Sequence, residues 1–546
     1  MELRGNDSTA ATHLGFPQKR APFCNTKSRC NAWLQWWIVG SRGVVRIVEQ
    51  TDHSEHHYAA LDLGSNSFHM IIASEEQGHV RILDRLREAV CLASGLDSEN
   101  LLTDEAMDRA LACITRFAQR LRDFPNRQVR VVGTNTLRKA RNADKFLLRA
   151  RSALGHPIEI IAGREEARLI YLGVVNSHTP PSDNQLVVDI GGGSTEIIIG
   201  REEPLERESL HTGCVEQSLR FFEHGKLSQE RFDRAVLAAR VEVAAIATHF
   251  RRTGWSTAVG TSGTIKAIGN IVANQGWSRH GISADSLLEL QRSMSDAGHT
   301  EMLQFEGLSR DRTPVFAGGV SVLRAVFEEL GIESMQVSSG ALREGLLHDL
   351  IGRTHHEDVR PRTVDAMARR YGADERQSTR IANTAADLLR QSSDAWGLSA
   401  VDDGDLLSWA AQLHEIGLSV AHTQYHKHAE YLTSNADMPG FSRQEQAILA
   451  FLTRAHRRKF PMKALVNLPE YLIERVVRLA LLLRLSVLLH RAREDRELPE
   501  LRLVVNGERL QLRFPDRWLD MHPLTLALLE EERVYIEKTG YALSFT

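Results

Sequence analysis

From residue 58 onward the chain alternates short apolar runs with amphipathic stretches. The run YAALDLGSNSFHMIIA (58–73) predicts an apolar strand, a turn at Gly64, Ser65 and Asn66, and a second apolar strand. This is a hairpin with the acid Asp62 at its mouth. Residues 80–92 alternate apolar and polar positions as a further strand would. Met107, Leu111, Ile114, Phe117 and Leu121 recur at helical spacing, with Asp104 and Glu105 at the positive end of that helix. A strand over 129–132, a helix over 142–154, a strand over 158–162 and a helix over 165–172 complete the first part. Strands alternating with helices in this way predict an α/β sheet with helices on its faces.

The opening pattern recurs at LVVDIGGGSTEIIIG (186–200). Asp62-x-Gly64-x-x-Ser67 and Asp189-x-Gly191-x-x-Ser194 superpose residue for residue, which points to an internal duplication. A third Gly-rich turn, AVGTSGT (258–264), follows a helix and opens another. Gly-rich bends let backbone N–H groups approach phosphate oxygens, Ser and Thr add hydroxyl donors, and an adjoining carboxylate can hold Mg²⁺. Two such hairpins facing each other would clamp one phosphate chain.

After Asp349 the texture becomes helical and rich in Leu, Ala and Arg. The segment LRLVVNGERLQLRF then predicts strands, followed by a helix over 525–539 and a final strand. Composition adds exclusions: with 42% hydrophobic and 25% charged residues and only 15 Pro, the chain is neither disordered nor collagen-like. No apolar run reaches the length needed to span a bilayer. Five scattered Cys make no disulfide framework and suit the cytoplasm, with peripheral membrane association left open. The first fifty residues hold three of eight Trp, and seven basic against three acidic residues. Residues 1–54 are expected to be a dispensable extension, disordered or translated from a start codon set too early. Without the first fifty, 60 basic face 67 acidic residues, so a polyanion could bind only at a local basic track; Arg457, Arg458 and Lys459 in TRAHRRKF are the candidate.

LDLGSNSFHM, VGTNTLRKARNA, IEIIAGREEARLIYLGV, VVDIGGGSTE, GTSGTIKAIGNI and SSGALREGLL, in this order, resemble the exopolyphosphatase and guanosine pentaphosphate phosphohydrolase family. The resemblance runs from about residue 58 to the C-terminus. It implies the two-lobed actin-like and sugar-kinase-like (ribonuclease H-like) ATPase superfold, with lobe I at 55–178 and lobe II at 179–352. A helical HD-like domain (353–495) and a small α+β domain (496–546) would follow, in a homodimer. It further implies Mg²⁺-dependent attack of water on a terminal phosphate. Glu166 would be the general base and Arg138 would bind a terminal phosphate. Asp62, Asp189 and Glu196 would hold the metal. Gly64, Asn66, Ser67, Thr134, Gly191, Gly192, Gly193, Ser194, Thr195, Gly263 and Lys266 would contact phosphate. Glu165, beside Glu166 but about 100° away on a helix, is expected to be an exposed charge. The segment 406–432 resembles an HD phosphohydrolase core, yet its pair is His414-Glu415 rather than His-Asp, which suits a helical scaffold better than a second metal centre.

Exopolyphosphatase activity on inorganic polyphosphate is the first expectation, with no nucleic-acid partner. Hydrolysis of guanosine pentaphosphate is the alternative. A nucleotide-dependent sensor or actin-like assembly protein is a third reading, against which the Glu166, Asp189 and Glu196 set argues.

Overall fold

The expected hairpin forms from β1 (His57–Leu63) and β2 (Ser67–Glu76), antiparallel in register from His57 opposite Ser74 to Leu63 opposite Phe68. The structure is a computed structural model that describes residues 57–546 apart from 77, 78, 178–181, 356 and 495–497. The expectation for residues 1–54 lies outside the described residues. With β3 (His79–Ala89), β4 (Val129–Gly133) and β5 (Glu159–Ile160), the hairpin makes a sheet ordered β3-β2-β1-β4-β5. The strand expected over 158–162 pairs only at Glu159–Ile160. Ile161 still donates to the Gly133 carbonyl of β4 at 3.2 Å before the helix Gly163–Val175 begins.

A second sheet contains β6 (Gln185–Ile190), β7 (Thr195–Gly200), β8 (Pro204–Leu210), β9 (Thr257–Thr261), β10 (Ile282–Ser283) and β11 (Ser334–Val337). Its order is β8-β7-β6-β9-β11-β10, with β6–β7 antiparallel and β6–β9 parallel. The first sheet has the same plan, because β1 pairs antiparallel with β2 and parallel with β4. The repeat seen in two loops therefore extends to both sheets. β6 and β7 are buried on both faces, as strands of helix-covered sheets are, and Asp189, Thr195 and Glu196 are their buried polar positions.

The helix Leu342–Thr354 comes after the second sheet but packs on β1 and on the helix Gly163–Val175. Contact is backbone to backbone: a Cβ on Gly345 would sit 1.7 Å from the carbonyl oxygen of Leu169. The lobe boundary expected at 352 thus falls in the last turn of a helix that packs against lobe I.

The remainder is built on the helices Glu375–Trp396, Asp402–Leu413, Tyr425–Asn435, Arg443–Ala455, Glu470–Leu489 and Pro523–Glu537. A sheet of β12 (Arg502–Asn506), β13 (Arg509–Arg513) and β14 (Ala542–Phe545) packs with them. One hydrophobic core runs through Leu388, Leu479 and Leu482 on the helices and Leu503, Leu510 and Leu543 on the strands. The sheet expected as a separate domain from 496 therefore shares its core with the helical part. Among the described residues no helix is long and apolar enough to cross a membrane.

Candidate active site

The two Gly-rich loops meet face to face. A Cβ on Gly192 would lie 2.8 Å from that of Ser65 and 3.3 Å from Cγ2 of Val215, so only glycine allows this approach. Strand register sets the acids beside it: Asp62 stands opposite His69, and Asp189 opposite Glu196. His69 is thus the counterpart of Glu196 in the duplication. Between the loops lies a cavity of about 410 Å³. Its wall includes Asp62, Gly64, Asn66 and Ser67 from the first loop and Asp189, Gly191, Gly192 and Ser194 from the second. Thr134, Glu166, Gly263 and Lys266 also line it.

Four expected site residues stand behind that wall. Arg138 turns to Glu166, donating from Nη1 to the carboxylate at 2.6 Å and to the Ile161 carbonyl at 3.1 Å. It holds the carboxylate, whereas the sequence reading gave it a terminal phosphate. Glu196 is 1% exposed and accepts a hydrogen bond from the Ser209 hydroxyl at 2.7 Å. The Thr195 hydroxyl is spent on the Thr212 carbonyl at 2.7 Å, and Gly193 packs against the Asn135 side chain. Glu165 is a clear correction. It is buried, receives Arg168 Nε at 2.9 Å and the Gly440 amide at 3.0 Å, and helps tie lobe I to the helical half. An Arg at i+3 and a distant backbone amide took a side chain expected in solvent.

The cleft holds its carboxylates under strain. Burial pushes Asp62 up to about 8, with further upward pressure from Glu166 and Asp189 against the relief given by Arg343. Asp189 is pushed up to about 7, again chiefly by burial and then by Glu166. Glu196 is raised for the same reasons. Asp62 Oδ1 is shut off from solvent with no hydrogen-bond partner. Among the described residues no three His, Cys, Asp or Glu side chains converge on an ion by themselves. This combination fits Mg²⁺, which keeps several waters and takes one or two carboxylates together with substrate phosphate oxygens.

Three cations on the opposite wall were assigned no role by motif. Arg87 donates to Ser67 Oγ at 3.3 Å and to Asp311 at 2.6 Å. Arg312 reaches Gly263, and Arg343 Nη1 donates to His69 Nδ1 at 2.8 Å. With Lys266 they surround His69, whose imidazole is lowered to about 3 by burial and these charges. Arg343 lies in the SSGALREGLL stretch, the only signal the sequence carried for any of the three. Ser262, which opens the helix Ser262–Asn274, is held at φ 83°, a conformation disfavoured outside glycine and concentrated at functional sites. Phosphate donors, four cations and a buried carboxylate therefore share one cleft.

In the helical half, His414 is buried and Glu415 pairs with Arg493. Arg457 and Arg458 line a separate cavity there, while Lys459 does not.

Residues 71–354 match the Ppx/GppA phosphatase family and residues 359–533 its domain III. A Pseudoalteromonas translucida protein named guanosine-5'-triphosphate,3'-diphosphate pyrophosphatase is 40% identical over 499 residues, covering 89% of this chain and 97% of its own length. An Aeromonas hydrophila protein of the same name is 40% identical over 491 residues, covering 90% and 98%. The crystal structure of an exopolyphosphatase from Cytophaga hutchinsonii, 24% identical, matches with a TM-score of 0.50 over 54% of this chain and 98% of its own; it speaks for the fold alone.

Proposed function

We propose that this chain, which belongs to the Ppx/GppA phosphatase family, removes the terminal 5′ phosphate of guanosine-5'-triphosphate,3'-diphosphate and releases orthophosphate. The observation that carries this reading over polyphosphate is a second cavity of about 560 Å³ that shares Ser65 and Asn66 with the phosphate cleft. Its walls are largely apolar: Val215, Leu219, Phe222, Pro314 and Val315. Glu223 stands among them. A purine ring can lie against such walls, and a carboxylate can accept both the N1–H and the amino protons of guanine. A bare phosphate chain has nothing to put there. The names of the two relatives at 40% identity agree with the nucleotide reading. The order of preference drawn from sequence motifs is thereby reversed.

In this reading the chain's own groups position and neutralise. Amides of the two loops with Lys266, Arg87, Arg312 and Arg343 take up the charge of the phosphate oxygens, which is most of what phosphoryl transfer asks of a protein. Glu166, fixed by Arg138, orients a water and accepts its proton as the water oxygen bonds to the terminal phosphorus. The bond from that phosphorus to its bridging oxygen breaks, and the shortened nucleotide leaves with the electron pair. Asp62 and Asp189 would hold Mg²⁺, with Glu196 opposite Asp189 on the neighbouring strand adding negative charge behind it. When bound, the ion supplies positive charge to phosphate oxygens.

Phosphate release on guanosine pentaphosphate and on long-chain polyphosphate tests the reading. The nucleotide kcat/KM should be higher by at least about tenfold. Leu219→Trp, which intrudes on the second cavity, should raise KM for the nucleotide far more than for polyphosphate. Faster turnover of polyphosphate, unaffected by that substitution, would replace this reading with exopolyphosphatase.

A further inference from the structure

We propose that the helical half carries a second ligand site, for a nucleoside di- or polyphosphate, in the cavity between the helices Asp402–Leu413, Arg443–Ala455, Glu470–Leu489 and Pro523–Glu537. This cavity measures about 540 Å³ and shares no lining residue with the phosphate cleft. Five arginines, 457, 458, 484, 491 and 493, and three glutamates, 415, 531 and 532, line it. The glutamates are occupied. Glu415 pairs with Arg493, Glu532 with Arg484, and Glu531 accepts the Tyr535 hydroxyl at 3.2 Å. Arg457, Arg458 and Arg491 have no ion pair among the described residues. They are a surplus of cation in a concave space, which is the condition for recognising phosphate.

The surplus is built rather than incidental. The helix Arg443–Ala455 stops just before these arginines, and Arg458 is held in the left-handed region at φ 62°. A non-glycine residue stays there only when its surroundings enforce it. The enforcing group is Arg484, whose side chain is wholly buried. It donates to the Ala455 carbonyl and, at 2.8 Å, to that of Arg458, so one buried cation pins the turn that carries two others. Arg457 then lies over the Tyr425 ring, 4.7 Å from its centre.

Histidine chemistry on the same wall narrows the ligand. His414 Nδ1 donates to the Ala411 carbonyl and His456 Nδ1 to the Thr453 carbonyl, both at 2.7 Å. Those bonds put the proton on Nδ1, leaving each Nε2 an acceptor: that of His456 takes the Tyr425 hydroxyl at 3.5 Å, so that of His414, which also lines the cavity, is the one left for a ligand. Burial lowers both imidazoles and keeps them neutral. A neutral acceptor does not attract a fully ionised phosphate chain, but it suits a ribose hydroxyl. Guanidinium donors for phosphate, a neutral acceptor for a hydroxyl and the ring of Tyr425 together describe a nucleotide.

Calorimetry on the full-length chain with the methylene-bridged analogue of guanosine diphosphate, which cannot be hydrolysed, tests this. Two sites should be filled, and Arg458→Glu combined with Arg491→Glu should weaken one at least about tenfold while the other persists. The persisting site also reports that the variant is folded. On the unaltered chain, 8-azidoguanosine triphosphate should photolabel a peptide containing Tyr425 or Tyr535. A single site in the unaltered chain, two undiminished sites in the double variant, or label confined to the cleft would overturn the proposal. Inorganic tripolyphosphate binding the second site as tightly as the nucleotide would overturn the nucleoside assignment.

Discussion

Two buried clusters of carboxylates lie on either side of the helix Gly163–Val175, and they have opposite electrostatics. In the cleft, Asp62, Asp189 and Glu166, with Glu196 behind them, press on one another, and the first two are pushed up to about 8 and about 7. Behind the same helix Asp349 is met by Arg130, Arg168 and Arg353, which hold it well below the usual carboxylate range despite burial. Residue type and burial are alike; what differs is the number of guanidinium groups within bonding distance. The paired cluster locks lobe I to the helix Leu342–Thr354. The under-compensated one keeps charge available for a ligand, at some cost to the empty fold.

The largest effect should come from Glu166→Gln. The amide keeps the shape and its contact with Arg138 but cannot take a proton, so kcat should fall by about 10² to 10⁴ with KM changed little. Turnover close to that of the unaltered enzyme would remove Glu166 from the role of base. The matching experiment on the other cluster is Asp349→Asn, which leaves three buried arginines short of a counter-charge. Urea unfolding should show a loss of about 3–5 kcal/mol. A loss under about 1 kcal/mol would mean that water already reaches the cluster.

Sharpening the comparison inside the cleft is possible because the sequence grouped Asp189 with Glu196 and the structure separates them. Asp189 lines the cavity; Glu196 stands behind it on the Ser209 hydroxyl. Asp189→Asn should therefore raise the Mg²⁺ concentration for half-maximal activity about tenfold or more, and Glu196→Gln only about two- to threefold. Equal shifts would put both on the ion.

How far the sequence reveals such a site depends on how local the constraint is. The two loops were legible because a tight turn next to a carboxylate writes Asp-x-Gly-x-x-Ser into six adjoining residues, twice. Glu166 was legible through its stretch, GREEAR. The cations were not: Arg87 and Asp311 are 224 residues apart, and Arg343 and His69 are 274 apart, so no spacing brings them together. Glu165 was misread because what buries it is distant: Arg168, only three residues on, is tied to Asp349, 181 residues further along, and the Gly440 amide lies 275 residues from Glu165. TRAHRRKF reads as one basic run, but the helix ends inside it. Arg454 goes to Glu430, Arg457 and Arg458 to a cavity, and Lys459 to neither.

The smallest expected effect concerns the stability cost of the empty cleft. Asp62 has an ordinary value of 3.8 and about 8 in the fold. Between those values the unfolded chain has released the proton that the folded chain keeps, so this group's contribution to stability is full below about pH 4 and is lost as pH rises toward 8. Asp62→Asn removes that slope. Without Mg²⁺, the variant should melt a few degrees above the unaltered protein at pH 8.5, roughly 1–2 kcal/mol once water entry has relieved most of the burial penalty. At pH 5 the difference should shrink. Added Mg²⁺ should raise the Tm of the unaltered protein at pH 8.5 more than that of Asp62→Asn, because only the former has the full charge to neutralise. If Asp62→Asn were instead less stable than the unaltered protein at pH 8.5, the carboxylate would be a stabilising group like Asp349, and the contrast between the two clusters would fail.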